Sequence, residues 1–216
     1  MMRTVSLVLA ALCLAGVSQA DLVINGADPA ASWAGWMNVF EMNGTYLWGS
    51  AWGTADLRAS FDENGILTLA PNTNCWNPQD AYWVNPDLTP NKLMEANFMQ
   101  EFGGGALASQ TVTFNFVVGT NTLPEEYNAR AFIKVLDPQA GWATVQYEYA
   151  DLAPGPGSVS LTVGDFAAAH TQVGFSLMGP VADPAGPVAA TGVTIVPEPA
   201  TLALLGLAAA LLRRRS

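Results

Sequence analysis

Tryptophan is frequent in this sequence, and its flat ring can pack against the apolar C–H face of a sugar. The seven tryptophans are Trp33, Trp36, Trp48, Trp52, Trp76, Trp83 and Trp142. Rings that are held ready on loops or shallow sheet faces bind ligands with little loss of conformational entropy. Glycan binding is therefore the first chemistry that the sequence suggests.

Two of these rings lie in a segment that has the pattern of a β-strand, residues 46–52. Alternate residues of a strand share a face, which groups Tyr46, Trp48, Ser50 and Trp52 and leaves small residues on the other face. This face is either an aromatic platform for a glycan or part of a sandwich core. We favour the core for Trp48 and Trp52 and keep the platform as the alternative.

Trp76 and Trp83 lie in a polar, turn-rich segment, residues 72–88. A loop does not easily bury rings of that size, so we predict that these two contact a glycan. The alternative is a loop that folds over the sheet and caps the core.

The same segment carries oxygen-bearing side chains of the kind that calcium prefers. They are Asn72, Asn74, Asn77, Asp80 and Asp87. No EF-hand spacing is present, and such loops are also common without a metal. A structural calcium therefore stays an alternative, and we expect no other metal or cofactor.

Catalytic groups are scarce. His170 is the only histidine, no G-x-S-x-G motif is present, and His170 with Cys75 cannot supply a zinc site. We therefore expect neither enzyme activity nor catalytic residues. The alternative is a secreted glycoside hydrolase, which needs two carboxylates. Its candidates are Glu41, Glu95, Glu101 and Glu148.

Alternating apolar and polar residues predict the strands that position these side chains. The clearest segments are Met94–Phe102, Val112–Val118, Ser158–Val163 and Gln172–Leu177, the last two half-buried. Weaker strands are predicted at Met37–Met42, Tyr46–Trp52, Ala55–Phe61, Ile66–Ala70, Ala129–Leu136, Trp142–Ala150 and Thr191–Val196. Turn-forming clusters separate them, and no long helical period does. We predict an all-β fold, an antiparallel β-sandwich that is jelly-roll-like.

The first 20 residues have the pattern of a signal peptide. A positive start at Met1–Arg3 precedes the apolar run Val5–Val17, and small residues then occupy the positions that signal peptidase requires. We predict a signal helix in residues 1–20 and cleavage between Ala20 and Asp21. Cys75 is then the only cysteine left, most simply a small buried hydrophobe, with an intermolecular disulfide as the alternative.

The C-terminal end combines a short motif, an apolar segment and a basic cluster, in that order. The motif is Pro197, Glu198 and Pro199, the apolar segment is Ala200–Leu212, and the cluster is Arg213, Arg214 and Arg215. The positive-inside rule keeps the arginines on the cytoplasmic side and leaves the preceding body outside. Thirteen residues as a helix measure roughly 20 Å against a hydrocarbon core of about 30 Å, so this transmembrane helix is a marginal anchor.

This tail, residues 197–216, closely resembles the PEP-CTERM sorting signal of bacterial proteins handled by an exosortase. The resemblance implies that the tail holds the protein in the cytoplasmic membrane until it is cut near the motif and the body passes to the cell surface. The implied partners are the secretion machinery, signal peptidase, exosortase and, through the tail before processing, the membrane. An ordinary tail anchor or an amphipathic C-terminal helix is the alternative.

The body between these ends, residues 21–196, is long enough for one domain. It carries seventeen acidic and four basic residues, a formal net charge of −13. Nucleic acid and anionic lipid are therefore poor partners, whereas neutral sugars, cations and proteins are not excluded.

Several phrases of the body resemble exported bacterial β-sandwich domains that often carry such a tail. They are residues 36–41, 48–53, 55–59 and 131–134. Many of those domains look like galactose-binding or carbohydrate-binding jelly rolls, which implies a module that binds extracellular polysaccharide. We thus expect an exported, non-catalytic protein of the cell surface or extracellular matrix. A purely structural component of the envelope or matrix is the alternative.

Overall fold

The computed structural model describes residues 21–198, which form twelve β-strands and two short 3-10 helices. The strands are β1 (Leu22–Asn25), β2 (Ala34–Glu41), β3 (Tyr46–Trp52), β4 (Ala59–Phe61), β5 (Leu67–Leu69), β6 (Lys92–Phe102), β7 (Thr111–Asn121), β8 (Asn128–Asp137), β9 (Ala143–Asp151), β10 (Gly155–Thr162), β11 (His170–Pro180) and β12 (Val193–Val196). The helices are Pro138–Ala140 and Pro187–Ala190. The all-β prediction is confirmed.

The helices predicted for the signal peptide and the C-terminal anchor lie outside the described residues. Within residues 21–198, no helix is long and apolar enough to cross a membrane.

The strands form two six-stranded sheets, as a β-sandwich requires. Sheet I has the order β3-β2-β6-β11-β8-β9 and is antiparallel throughout. In sheet II, β7 pairs with β10, β1 and β12, and β12 continues to β5 and β4. The β1–β7 pair is parallel, the one departure from antiparallel pairing among the described strands. Strand β1 was not predicted because Leu22, Val23 and Ile24 are consecutive apolar residues without the alternation that marks the other strands.

The main core lies between the two sheets, where the alternating apolar residues of their strands meet. In β7, Val112, Phe114, Phe116 and Val118 are at most 3% exposed, as their period-two spacing predicts. Trp33, which precedes β2, stacks on Phe98 of β6 with 4.4 Å between ring centroids.

A second, smaller core lies on the same side of sheet I, at its β2–β3 end. It consists of Met37, Val39, Leu57, Met94 and Val181. The long segment between β5 and β6 packs against it and carries Cys75, Trp76 and Trp83.

The strand predicted at Ala55–Phe61 is wrong in its first half. The Leu57 amide donates to the Gly53 carbonyl at 3.1 Å, and Arg58 has a φ of 58°. This left-handed backbone closes a turn, so only Ala59–Phe61 is extended.

Strand β11 is buried on both faces, whereas a half-buried strand was predicted. Val173 and Phe175 face the core, while Gln172, Gly174 and Ser176 on the other face are also buried. Strands β6 and β8 flank β11 at the centre of sheet I, and the Gln172 side chain donates to Glu101 of β6 at 2.7 Å. The polar residues of β11 therefore lie at the base of this outer face.

Candidate functional site

The face of sheet I that points away from sheet II carries a depression in two adjoining parts. Its larger part has a volume of about 630 Å³ and is lined by Trp36, Asn38, Tyr46, Glu101, Lys134, Leu136, Trp142, Thr144 and Gln172. An adjoining part of about 360 Å³ shares Asn38, Lys134 and Thr144 and adds Glu95, Asn97, Arg130 and Tyr147. Because they share three residues, we treat the two parts as one site and call it the groove.

Exposed aromatic rings line the groove and its edge. They are Trp36, Tyr46, Trp142, Tyr147 and Tyr149, between 38% and 57% exposed. The Trp36 indole donates to Asn38 Oδ1 at 2.8 Å, and Trp142 meets the His170 ring edge-on at 4.8 Å. Tyr147 and Tyr149 stack with 5.5 Å between centroids. These contacts hold the rings in place before any ligand arrives.

Tyr46 reaches the groove because of an irregularity in β3. Val39 pairs with Trp48 but Phe40 pairs with Tyr46, so Leu47 is an extra residue in the strand. Such a bulge turns the residues on its two sides to opposite faces. Tyr46 therefore does not share the face of Trp48 and Trp52 that plain alternation predicts.

Two carboxylates of β6 face the groove, and both are held by amide donors. Glu95 Oε2 accepts from Asn38 Nδ2 at 2.7 Å and from Asn97 Nδ2 at 3.3 Å. Glu101 accepts from Gln172 Nε2 at 2.7 Å.

The second oxygen of Glu101 lies 2.8 Å from Nδ1 of His170. His170 is the first residue of the central strand β11 and is half-buried. Burial acts to raise the pKa of Glu101, but the bonds from Gln172 and His170 and nearby positive charge lower it below its ordinary value.

Two cations of β8 also face the groove. Arg130 donates to Asp151 Oδ1 at 3.0 Å, and its guanidinium lies 4.1 Å from the Tyr149 ring centroid. Lys134 lines both parts of the groove. Burial lowers the pKa of Lys134, and the charges of Glu95 and Glu101 oppose that shift. The groove thus combines aromatic faces with fixed donors and acceptors, as sugar-binding chemistry requires.

The four tryptophans considered as glycan contacts, Trp76 and Trp83 as predicted and Trp48 and Trp52 as the alternative to a core position, lie on the opposite side of sheet I. Trp48, Trp52, Trp76 and Trp83 are half-buried and pack against the second core. The Trp48 indole donates to the Tyr82 hydroxyl at 2.7 Å, and the Trp52 indole donates to Ser50 Oγ at 2.9 Å. This placement favours the alternative in which the loop caps a core. Glycan contact at these four residues stays a prediction, and the variant Trp83→Ala tests it at one of them.

The candidate calcium ligands are spread over separate turns. Asn72 Oδ1 accepts from the Asn74 amide, Asn77 and Asp80 cap the next two turns, and Asp87 accepts from Thr89. Among residues 21–198, no three His, Cys, Asp or Glu side chains are grouped as metal ligands.

Of the four glutamates considered for a hydrolase, the groove contains Glu95 and Glu101. Glu41 pairs with Lys92 at 3.1 Å, away from the groove, and Glu148 is exposed on the face of β9 opposite Tyr147. Glu95 and Glu101 are six residues apart on one strand, which places their Cα atoms roughly 20 Å apart. Glycosidase carboxyl groups lie about 5 to 10 Å apart.

The C-terminal motif begins where the sandwich ends. Pro197 follows β12 and is buried, and Glu198 is half-buried. A Cβ atom placed on Gly65 would lie 3.6 Å from Pro197 Cγ and 3.8 Å from Pro29 Cγ, so these three residues meet. Asp21 is exposed at the first described position. Ala20, Pro199, Arg213, Arg214 and Arg215 lie outside the described residues.

Comparison with known proteins identifies the tail. Residues 196–216 match the family model of the PEP-CTERM protein-sorting motif, which confirms the resemblance seen in the sequence. The motif indicates an exported protein that transits the membrane and is sorted by an exosortase. No curated protein and no solved structure matches the chain.

Proposed function

We propose that this protein is exported, sorted by an exosortase and displayed at the cell surface or in the extracellular matrix, where its β-sandwich binds a neutral polysaccharide without catalysis. The binding site is the groove on sheet I. The observation that carries the proposal is the set of exposed, braced aromatic rings beside fixed amides and carboxylates in one depression.

Sugar recognition needs both kinds of group. Aromatic faces bury the apolar C–H surface of a sugar ring, and directional polar groups bind its hydroxyls. Trp36 and Trp142 supply faces, while Asn38, Glu101 and Gln172 supply acceptors and donors whose positions are set by their own hydrogen bonds. Preorganised groups lose little conformational entropy when a ligand binds.

The charge of the body favours a neutral polymer. A net charge of −13 over residues 21–196 repels polyanions, and one arginine of the groove, Arg130, is already paired with Asp151. A chain of neutral sugars meets no such repulsion.

A binding experiment tests the proposal. The full-length chain, kept in a detergent without a sugar headgroup, is applied to an array of neutral glucan, mannan and xylan oligosaccharides, with tryptophan fluorescence titration of the hits. We expect binding to at least one neutral oligosaccharide, and a loss of at least tenfold in Trp142→Ala. Val23→Ala, at an exposed position on sheet II, is the matched control and retains binding. Absence of binding across the array would favour a purely structural role in the envelope or matrix.

A further inference from the structure

Lys134 differs from the other cations of the body, since no described group accepts a hydrogen bond from it. Arg58, Lys92 and Arg130 each donate to a partner. Within residues 21–198, the Lys134 ammonium has neither an ion pair nor a hydrogen bond, although it lines both parts of the groove.

The surroundings of this ammonium are partly apolar. Its Nζ atom lies 5.3 Å from the ring centroid of Phe132, which is 1% exposed. An ammonium that is taken partly out of water without an acceptor destabilises the folded state. An oxygen atom of a bound ligand would supply the missing acceptor.

We propose that Lys134 is the specificity-determining residue of the groove, donating to a hydroxyl of a neutral sugar that in turn donates to the Glu95 or Glu101 carboxylate. This inference rests on the proposed glycan binding. A hydroxyl both accepts and donates, so it fits between an ammonium and a carboxylate. The carboxylate of an acidic sugar only accepts, so it cannot donate to Glu95 or Glu101, and the net charge of −13 over residues 21–196 repels it. The groove therefore prefers neutral over acidic sugar units.

The variant Lys134→Met tests this role in the full-length chain. We expect its affinity for the neutral oligosaccharides that the wild type binds to fall about ten- to a hundredfold. This is the effect of losing a hydrogen bond to a charged group. Its melting temperature is expected to be unchanged or higher, because methionine needs no acceptor. Lys92→Met is the matched control. It melts at a lower temperature because Glu41 loses its ion pair, and it retains binding.

Other results would overturn the role of Lys134, the preference for neutral sugars or glycan binding itself. Binding that persists in Lys134→Met while Trp142→Ala loses it overturns the role of Lys134 and leaves glycan binding intact. A large fall in melting temperature in Lys134→Met means that the residue is structural. Uronic-acid oligosaccharides are added to the array for this purpose, and tighter binding of these than of the neutral ones overturns the stated preference. If the wild type binds no neutral oligosaccharide, both proposals fail.

Discussion

At the scale of single residues, Gly49 makes room for the groove. It lies on β3 next to Asn38, and a Cβ atom there would stand 2.5 Å from Asn38 Oδ1 and 2.7 Å from Trp36 Nε1. Any larger residue would displace both atoms of the hydrogen bond that holds the Trp36 ring. The Trp36 ring can therefore keep its position in the groove only if residue 49 is glycine.

Gly49→Ala is expected to lower the free energy of unfolding by about 1 to 2 kcal/mol through overpacking, and to weaken binding to the arrayed oligosaccharides. Urea unfolding and fluorescence titration measure the two effects. Gly53→Ala, directly after β3, is the control. The nearest atom to its Cβ would be a carboxylate oxygen of Asp56 at 3.0 Å, at the end of a side chain that can move aside. Equal effects of the two substitutions would argue against a special role for Gly49.

Glu101 makes stability dependent on pH at the acid end. Its pKa in the folded protein lies below the ordinary value of 4.5, so it contributes stability above that pH and loses the contribution as the pH falls through the folded value. We expect Glu101→Gln to lower the urea midpoint at pH 7, and the difference from the wild type to shrink as the pH falls below 4.5. Glu63→Gln, at an exposed turn position, is expected to leave the midpoint unchanged over this range. A difference that persists at low pH would show that the effect is not electrostatic.

At the scale of elements, the segment between β5 and β6 behaves as a lid on the second core. Trp83 packs there with its ring 6.2 Å from Trp48, nearly perpendicular to it, and the adjacent Val84 is 1% exposed. Its tryptophan rings are half-buried because the segment packs over the second core on one face of sheet I. The segment is thus a structural cover on the side of sheet I that lies opposite the groove.

Trp83→Ala separates this covering role from glycan contact. We expect the free energy of unfolding to fall by about 2 to 3 kcal/mol. This is less than for a fully buried tryptophan, because the Trp83 ring is only half-buried. Binding to the arrayed oligosaccharides, measured well below the melting temperature, is expected to be retained. Gln79→Ala in an exposed turn of the same segment should change stability by less than about 0.5 kcal/mol. Loss of binding in the folded variant would instead support the contact predicted from the sequence.

The elements were predictable where a local pattern decides them. The alternation of Val112 to Val118 predicts both the strand and its buried face, because one side packs on the core. The bulge at Leu47 was not predictable, since it depends on pairing with β2.

The groove was not predictable either. Its rings come from residues as distant as Trp36 and Tyr147, which only the strand order of sheet I brings to one face. Trp76 and Trp83 were predicted to be exposed only because they lie in a loop. A loop sequence does not show whether the loop packs over a core.

At the scale of the whole molecule, the acidic surface sets the response to salt. Repulsion among seventeen acidic and four basic residues opposes folding at low ionic strength, and salt screens it. We expect the urea midpoint to rise between about 10 mM and 0.5 M NaCl, while the affinity for the arrayed neutral oligosaccharides changes less than about twofold. A steep fall of affinity with salt would indicate an anionic ligand instead.

The docking of Pro197 at the end of β12 determines how the body would carry force. β12 is paired with β5 on one side and β7 on the other, and its Val193 and Ile195 side chains are fully buried. While the tail is uncut, a pull on it would act along this strand in shear, so that the backbone hydrogen bonds of β12 to β5 and β7 would be loaded together. Under the proposed binding, a polymer in the groove of sheet I and the uncut chain that leaves β12 of sheet II would load opposite sheets, so the apolar layer between the sheets would carry the tension until the tail is processed.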